Sequence, residues 1–321
     1  MSDAVETALK ELSPIQRDAV SWTDGAALVL AGPGSGKTRV LTTRIAKLLN
    51  ESQNRRFKIL ALTFTTKAAA EMRERVERLV PGLADERTYI GTFHAFSTVI
   101  LRQHGSHIGF KPDFAIIDRK EERSELLRDA LRSAMAEGRP FSLDDIRWLD
   151  TLDELKARLV VPEKAHARVR DQHFPEVYAL YEEALKAENA CDFNGLILES
   201  CRLLAKMPAI AKRVRQTYPY WMIDEFQIRR LRSTGCSIIC PAVSFEMSWP
   251  WPMTTRSSIS GLAPVTARSK SFEQNLHPSL SSWLKTVGVH RRSSGLLIGS
   301  LRITRIGRRI SGRLPRAVRH R

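Results

Sequence analysis

Short apolar runs separated by helical patterns organise the first 227 residues of the chain. Four runs have the length of buried strands, and each is followed by a turn or by helical periodicity. They lie at Ala26–Ala31, Lys58–Thr63, Thr88–Thr92 and Trp221–Ile223. Residues 98–190, between the third and fourth runs, are patterned as helices throughout. The alternation predicts an α/β fold with a parallel sheet and an inserted helical subdomain.

The helical stretch carries its own start signal. Ser142-Leu-Asp-Asp145 resembles a capping box with Asp in place of Glu or Gln, so it predicts the start of a helix. Leucines recur at helical spacing just beyond it, which favours a packed core over an interface. These leucines are Leu149, Leu152, Leu155 and Leu159.

A glycine-rich turn joins the first predicted strand to a helical pattern over Arg39–Leu49. The turn reads Gly-Pro-Gly-Ser-Gly-Lys-Thr at 32–38, and its strand–turn–helix context is typical of a phosphate-binding loop. Glycines let backbone N–H groups turn toward phosphate oxygens at a helix N-terminus. Lys37 would neutralise charge on the β- and γ-phosphates, and Thr38 would coordinate Mg²⁺. The predicted nucleotide-binding residues are Gly32, Gly34, Ser35, Gly36, Lys37 and Thr38.

A glutamine shortly before this loop indicates which base is bound. Ser13 fits an N-cap and Pro14 the first position of a helix, which puts Gln16 on the first turn. Its amide offers one donor and one acceptor, the pair that an adenine edge requires. An isolated glutamine is more often a surface residue, but this placement favours adenine recognition and therefore ATP.

Polar and aromatic side chains follow the other predicted strands. Asp224 ends the fourth strand and could hold Mg²⁺ through water, and Glu225 could act as general base on the attacking water. The hydroxyls and the lone aromatics after the second and third strands suit single-stranded nucleic acid, since hydroxyls bond phosphates and rings stack on bases. On residue chemistry alone, a packing role is equally open for them.

Five segments resemble, in order and spacing, the motifs of the UvrD/Rep/PcrA group of superfamily 1 helicases. They are LSPIQRDAV (12–20), AGPGSGKT (31–38), LTFTTKAAAEM (62–72), GTFHAF (91–96) and IDEFQ (223–227). The resemblance implies a RecA-like domain of an ATP-dependent DNA helicase of the DNA-repair type. Such an enzyme hydrolyses ATP with Mg²⁺ and moves 3′→5′ along single-stranded DNA.

The resemblance also assigns roles to single residues. It places Arg39 beside the nucleotide and makes Gln227 a sensor of the γ-phosphate. It implies that three residues touch single-stranded DNA: Phe64, Thr92 and His94. The catalytic set implied is Lys37, Asp224, Glu225 and Gln227, with Thr38 and Asp224 at the metal.

One segment departs from the family pattern. Asp192–Ile197 resembles a family DFDDLI segment, but Asn194 and Gly195 replace two of its acids, which leaves the role of those acids in doubt.

Four parts of the chain follow from these patterns. Residues 1–97 begin the first RecA-like domain, 98–190 form the helical insertion, and 191–227 return to the domain. Residues 228–321 form a separate basic tail.

The N-terminal residues lack the apolar core of a signal peptide, and no apolar stretch is long enough to span a bilayer. We therefore expect a cytoplasmic protein without a membrane partner.

The tail differs sharply in composition from the rest of the chain. The whole chain has 51 Lys and Arg against 35 Asp and Glu, and the tail holds 17 of the basic residues and only two of the acids. The first 227 residues are therefore almost neutral. The tail has no sustained helical or strand period, so we expect it to be irregular or disordered. Four cysteines indicate neither a disulfide framework nor a zinc site.

The family resemblance stops in the middle of a motif. Family members continue with Asp-Thr after DEFQ, whereas this chain has Ile228 and Arg229. Loss of the first base can turn codons for Asp-Thr (GAT-ACG) into codons for Ile-Arg. With the same offset, residues 249–259 can read VAVADDDQIIY and residues 281–292 can read IQLVENRRCPPE, which resemble the next two family motifs. These coincidences favour an out-of-frame tail, and the nucleotide sequence across codon 228 distinguishes it from an authentic basic tail.

Three functional hypotheses follow. The first is the ATP-binding part of a helicase, truncated by the tail and inactive as a motor. The second is a non-motor module that binds ATP and DNA and uses the basic tail as a nucleic-acid tether. The third is an unstable product of a broken reading frame. The pathway, the preferred DNA structure and the protein partners do not follow from the sequence.

Overall fold

The computed structural model describes residues 3–22, 26–31, 34–52, 56–171, 173–224, 235–241, 293–298 and 301–306. The α-helices are Asp3–Lys10 (α1), Pro14–Val20 (α2), Lys37–Glu51 (α3), Thr66–Leu79 (α4), Leu83–Arg87 (α5), Phe93–His104 (α6), Lys120–Ala136 (α7), Leu149–Ala157 (α8), Phe174–Ala187 (α9), Phe193–Lys206 (α10) and Pro208–Thr217 (α11). Short 3₁₀ helices span Gly105–Ile108, Leu143–Trp148 and Pro162–Ala167. The strands are Ala26–Ala31 (β1), Ile59–Thr63 (β2), Thr88–Thr92 (β3), Ala115–Ile117 (β4), Ala190–Asp192 (β5), Tyr220–Ile223 (β6), Gly235–Pro241 (β7), Ser293–Ile298 (β8) and Leu301–Ile306 (β9).

Seven of the strands form one sheet in the order β3-β2-β6-β7-β1-β9-β8. β2 pairs in parallel with β3 and with β6. β1 and β6 both pair antiparallel with β7, so β1 has the same direction as β2, β3 and β6. The four strands predicted from the sequence are therefore parallel, and their carboxyl ends lie at one edge of the sheet. The prediction of an α/β fold is confirmed.

Alternate residues of the central strands enter two cores on opposite faces of the sheet. Ile59 and Ala61 of β2 pack with α1 to α4, whereas Leu60 and Leu62 pack with α6, α10 and α11. Met222 and Trp221 of β6 divide in the same way. Burial on both faces explains why these strands read as continuous apolar runs.

The helical stretch between β4 and β5 has a third core of its own, built mainly from α7, α8 and α9. Ser142 and Asp145 form the predicted capping box, although the helix that they begin is 3₁₀. Leu149, Leu152 and Leu155 are buried in this core, as predicted. Leu159 lies beyond the end of α8, at a φ of 55°, and packs against the neighbouring core instead.

The tail differs from its sequence prediction at three segments, because β7, β8 and β9 all lie beyond residue 228 and join the main sheet. The prediction of an irregular tail is wrong for these strands. β7 contains the β-branched pair Ile238-Ile239, and the first four residues of β9, Leu301–Thr304, alternate apolar and polar. These patterns are too short to stand out in an arginine-rich segment. The remainder of the tail lies outside the described residues.

Within the described part of the chain, β1 has two hydrogen-bonded neighbours, and both come from the tail. β7 pairs with β1 from Ala27↔Ile239 to Ala31↔Gly235, and β9 pairs with it from Ala26↔Ile306 to Ala31↔Leu301. The strand that leads into the phosphate loop is thus connected to β6 only through β7.

None of the helices in the described ranges has both the length and the apolar character that crossing a bilayer requires.

Candidate nucleotide and DNA site

The phosphate loop leaves the carboxyl end of β1 and enters α3, as the sequence predicts. Gly34 and Gly36 have φ angles of 72° and 80°, which lie in the left-handed region that favours glycine. Gly36 is the N-cap of α3, and Lys37 is the first residue of the helix. The backbone therefore turns at the end of a helix where N–H groups can face an anion. Gly32 lies outside the described residues.

Gly36 also faces the helix that carries Gln16. A Cβ atom added at Gly36 would lie 2.9 Å from Nε2 of Gln16, which is closer than real side chains approach. Nε2 of Gln16 donates a hydrogen bond to the carbonyl oxygen of Ser35, at 3.0 Å. The absence of a side chain at Gly36 therefore allows α2 to dock on the loop.

Gln16 lies beside the phosphate loop, although its amide is already engaged. Besides the contact to Ser35, its Oε1 accepts from the backbone N–H of Ser13 at 2.9 Å, which completes a capping box with Ser13 as N-cap. Adenine binding would exchange one of these bonds for a bond to the base. The adenine-reading role stays a prediction.

A buried arginine that sequence reasoning did not select fixes α2 to α3. Nη1 of Arg44, in α3, donates to the carbonyl oxygen of Val20, the last residue of α2, at 2.6 Å. Burial lowers the pKa of Arg44 to about 10, against the opposing influence of Tyr220 and Glu51. A guanidinium at pKa 10 is still charged at neutral pH, so Arg44 holds the helix that positions Gln16.

The decisive contact of the site joins residues far apart in the sequence. Oγ1 of Thr38 donates to Oδ2 of Asp224 at 3.1 Å. Thr38 lies in the first turn of α3, and Asp224 follows β6, where it is 5% exposed. The backbone N–H of Asp224 donates to the carbonyl oxygen of Leu62 at 2.9 Å and so extends the pairing of β6 with β2. The fold thus brings the two predicted metal ligands together.

The donors of this pair suit Mg²⁺. A hydroxyl and a carboxylate are hard oxygen ligands, and Mg²⁺ in phosphate-binding sites is held by one or two such groups together with phosphate oxygens and water. Among the described residues, no group of three or more His, Cys, Asp and Glu side chains forms a cation cage. Thr38 and Asp224 would supply two of the ligands of a six-coordinate Mg²⁺ and leave the other positions to phosphate oxygens and water.

The remaining predicted nucleotide contacts differ in their exposure and in whether the structure describes them. Lys37 is half-buried at the start of α3, next to the loop. Arg39, two residues further on in the same turn, is exposed and forms an ion pair with Glu11. Glu225 and Gln227, predicted as general base and γ-phosphate sensor, lie outside the described residues.

The predicted DNA contacts lie at the same edge of the sheet, on the far side of β6. Phe64 directly follows β2, and its side chain is 72% exposed. Thr92 ends β3 opposite Thr63 of β2 and is the N-cap of α6, where its Oγ1 accepts from the N–H of Ala95 at 3.2 Å. His94 follows in the first turn of α6. Phe64, Thr92 and His94 thus line one edge of the sheet, here called the DNA edge. It lies next to a groove of about 380 Å³ between α4 and β3.

The structure adds one aromatic residue to this group. The rings of His94 and Phe193 are stacked, with centroids 3.7 Å apart and planes inclined by 18°. Phe193 is the first residue of α10 and is 41% exposed. The sequence signal that could have found it is its place in the Asp192–Ile197 segment, immediately after a short strand.

Asn194 and Gly195, which replace two acids of the family segment, have different environments. Nδ2 of Asn194 donates to Oδ1 of Asp153 at 3.4 Å. Gly195 is buried, and a Cβ atom there would lie 2.8 Å from Oδ1 of Asp192 and 3.3 Å from Nζ of Lys156. Glycine at position 195 therefore leaves room for a buried charged pair.

The model of the UvrD/REP helicase N-terminal domain matches residues 12–228 of this chain. The chain belongs to this family. The matched segment contains the phosphate loop, Asp224 and the predicted DNA contacts, and it ends at the residue where the sequence changes character. The UvrD/REP match therefore covers the sequence motifs and none of the tail strands.

Curated relatives agree with the family match. The ATP-dependent DNA helicase PcrA of Staphylococcus aureus is 36% identical over 222 residues, which are 68% of this chain and 30% of that protein. The protein of the same name from Staphylococcus epidermidis is also 36% identical over 222 residues. The chain thus spans about 30% of the length of the curated UvrD/REP relatives that it matches.

Proposed function

We propose that residues 1–227 carry the ATP-binding residues of an ATP-dependent DNA helicase that moves 3′→5′ on single-stranded DNA. The hydrogen bond between Thr38 and Asp224 is the observation that carries the proposal, because it joins the phosphate loop to the carboxylate of the second ATPase motif. The two PcrA relatives, which are named as ATP-dependent DNA helicases, also support the proposal.

In this proposal, the loop backbone and Lys37 bind the phosphates of ATP, and Gln16 faces the adenine. Thr38 and Asp224 would hold Mg²⁺, which when bound neutralises charge on the β- and γ-phosphates. Glu225, the next residue after Asp224, would take a proton from the attacking water. Gln227 would report the presence of the γ-phosphate to the rest of the domain.

The DNA-binding part of the proposal rests on exposed aromatic rings beside the side-chain hydroxyl of Thr92. Phe64 and Phe193 expose large apolar surfaces at the edge that also carries Thr92 and His94. Base stacking on exposed aromatic rings is worth about 1–3 kcal/mol per base and does not depend on sequence. An edge with both rings and hydroxyls therefore suits single-stranded DNA without sequence preference.

Asp224→Asn tests the nucleotide site. The substituted amide can still accept the hydrogen bond from Thr38 but carries no negative charge, so we expect the Mg²⁺-dependent part of ATP affinity to fall by about tenfold. A fluorescent ATP analogue titrated with Mg²⁺ and with EDTA measures this. Asp129→Asn, which neutralises an exposed acid paired with Arg132 on α7, is the matched control. Equal Mg²⁺ dependence in both variants would remove Asp224 from the metal site.

We further propose that the 321-residue chain by itself is inactive as a motor. The family match ends at residue 228, which supports a change of reading frame there. The chain spans about 30% of the length of its PcrA relatives, and in related phosphoryl transfer an arginine supplied from outside the phosphate-loop domain is worth about 10³–10⁵ in rate. We expect weak ATP binding at best, and no DNA-stimulated hydrolysis or unwinding. A stimulated ATPase rate in the purified chain would contradict this proposal.

A non-motor module that binds ATP and DNA is the second candidate. It is favoured by the pairing of β7 and β9 with β1, which attaches the basic tail to the nucleotide-binding sheet. A tail attached in this way would add phosphate contacts, and DNA affinity would then decrease steeply with salt.

A further inference from the structure

A lysine is buried where the helical insertion meets α10. Lys156, near the end of α8, is 0% exposed. Its Nζ lies 2.5 Å from Oδ2 of Asp192 and 2.6 Å from Oε1 of Glu182. Burial acts to lower the pKa of Lys156, but Glu182 and Asp192 outweigh it and hold this pKa well above its usual range. A buried ammonium with two carboxylates is costly to form, and neither the nucleotide site nor the DNA edge uses it directly.

Asp192 connects this lysine to the start of α10. While Oδ2 accepts from Lys156, Oδ1 accepts from the backbone N–H of Gly195 at 2.6 Å, as the N-cap of the helix. One carboxylate therefore serves both contacts, so the position of Lys156 fixes the orientation of the cap. The first residue after the cap is Phe193.

The contact continues to the DNA edge through one pair of rings. Phe193 stacks on His94 at 3.7 Å, and His94 lies two residues after Thr92. A shift of the α10 N-terminus would move the Phe193 ring across the face of His94. The chain of contacts thus runs from the helical insertion to the DNA edge.

We propose that Lys156 is a positioning residue for single-stranded DNA binding, which through Asp192 fixes the start of α10 and holds Phe193 parallel to His94. The inference rests on the proposed function, since it requires that this edge bind DNA. Lys156 itself is fully enclosed and does not touch DNA. Its effect on DNA affinity must therefore pass through Phe193.

A double-mutant cycle on the full chain tests the inference. The variants are Lys156→Met, Phe193→Ala and their combination, and the measurement is the anisotropy of a fluorescein-labelled oligothymidine. We expect each single variant to bind the oligothymidine about tenfold more weakly than the parent chain. The double variant should also lose only about tenfold, because both substitutions remove the same contact of Phe193. Affinity for a fluorescent ATP analogue should not change. Lys120→Met, which removes an exposed lysine paired with Asp150, should bind DNA as the parent does.

The outcomes that overturn the inference are distinct from failure of the proposed function. A combined loss of about a hundredfold means that Lys156 and Phe193 act independently, and the inference fails. If Phe64→Ala weakens DNA binding but Phe193→Ala does not, the inference fails while the DNA edge stands. If neither ring matters, the proposed DNA edge fails as well.

Lys156→Met leaves two carboxylates buried with no lysine between them, so it can prevent folding. In that case the cycle is run with Asp192→Asn, since asparagine is also a good N-cap and keeps an oxygen for Gly195. Coupling between Asp192→Asn and Phe193→Ala supports the inference, and additive losses overturn it.

Discussion

Gly36→Ala is expected to weaken ATP binding by about 30- to 100-fold. The left-handed φ of 80° costs a non-glycine residue about 1–2 kcal/mol. The added Cβ would also lie 2.9 Å from Nε2 of Gln16, so the hydrogen bond from Gln16 to Ser35, worth about 1 kcal/mol, would break. The loop can relieve both effects by moving away from its present conformation. The loop must then return to the binding conformation when ATP binds, and the free energy of that return lowers the ATP affinity. Each 1.4 kcal/mol or so corresponds to a tenfold loss of affinity.

Gly109→Ala separates backbone strain from the site itself. Gly109 has a φ of 96° and open space around its Cβ position, and it follows the 3₁₀ helix Gly105–Ile108 far along the chain from the phosphate loop. This control should lower thermal stability as Gly36→Ala does but leave ATP affinity unchanged. Titration with a fluorescent ATP analogue provides the comparison. Unchanged affinity in Gly36→Ala would show that the loop does not bind phosphate in this conformation.

Truncation after Gln227 is expected to abolish ATP binding and to prevent cooperative unfolding. β7 pairs at five positions with β1 and at four with β6. At about 0.5–1.5 kcal/mol for each hydrogen bond, its loss removes of the order of 5 kcal/mol, which is comparable with the whole stability of a small domain. β1 would also lose both of its described neighbours, and Thr38 would no longer be held beside Asp224. Thermal unfolding and ATP titration of the 1–227 chain measure the two effects.

Two further truncations show whether pairing or charge is responsible. Ending the chain after residue 241 keeps β7 and should restore most of the ATP affinity. Ending it after residue 306 keeps every described strand but removes six arginines, and it should bind ATP as the full chain does. If the 1–227 chain binds ATP normally, β7 is not required to hold β1 against the sheet.

The elements around the nucleotide could be predicted because their signals are local. The β1 strand, the glycine turn and α3 follow one another without interruption, and strand ends in a parallel sheet meet at one edge. Asp224 could therefore be placed near Thr38 although 186 residues separate them. Ser13 as N-cap and Pro14 as first helical residue likewise predicted the start of α2 and the place of Gln16 on its first turn.

The contacts missed by sequence reasoning are those that depend on tertiary packing alone. Lys156 follows Leu155, and the sequence places it on the polar side of a helix. In the structure it is fully buried, with carboxylates supplied by Glu182 of α9 and Asp192 at the end of β5. The sequence alone does not distinguish Phe193 from a buried core residue. Its stacking on His94 is seen only once the start of α10 is placed in the structure. The direction of β7 could not be predicted either, since the same apolar run would fit a parallel or an antiparallel neighbour.

The place of β1 between two tail strands has a consequence for the order of folding. Residues 26–31 leave the ribosome early, whereas their partners at 301–306 are made about 14 to 55 seconds later at 5–20 residues per second. During that interval a largely apolar strand has no partner on that side and is open to incorrect pairing. Such distant pairings are also the slowest to form, since the loop between them must close first. The segment that would bind the nucleotide is thus among the first synthesised and the last to be completed.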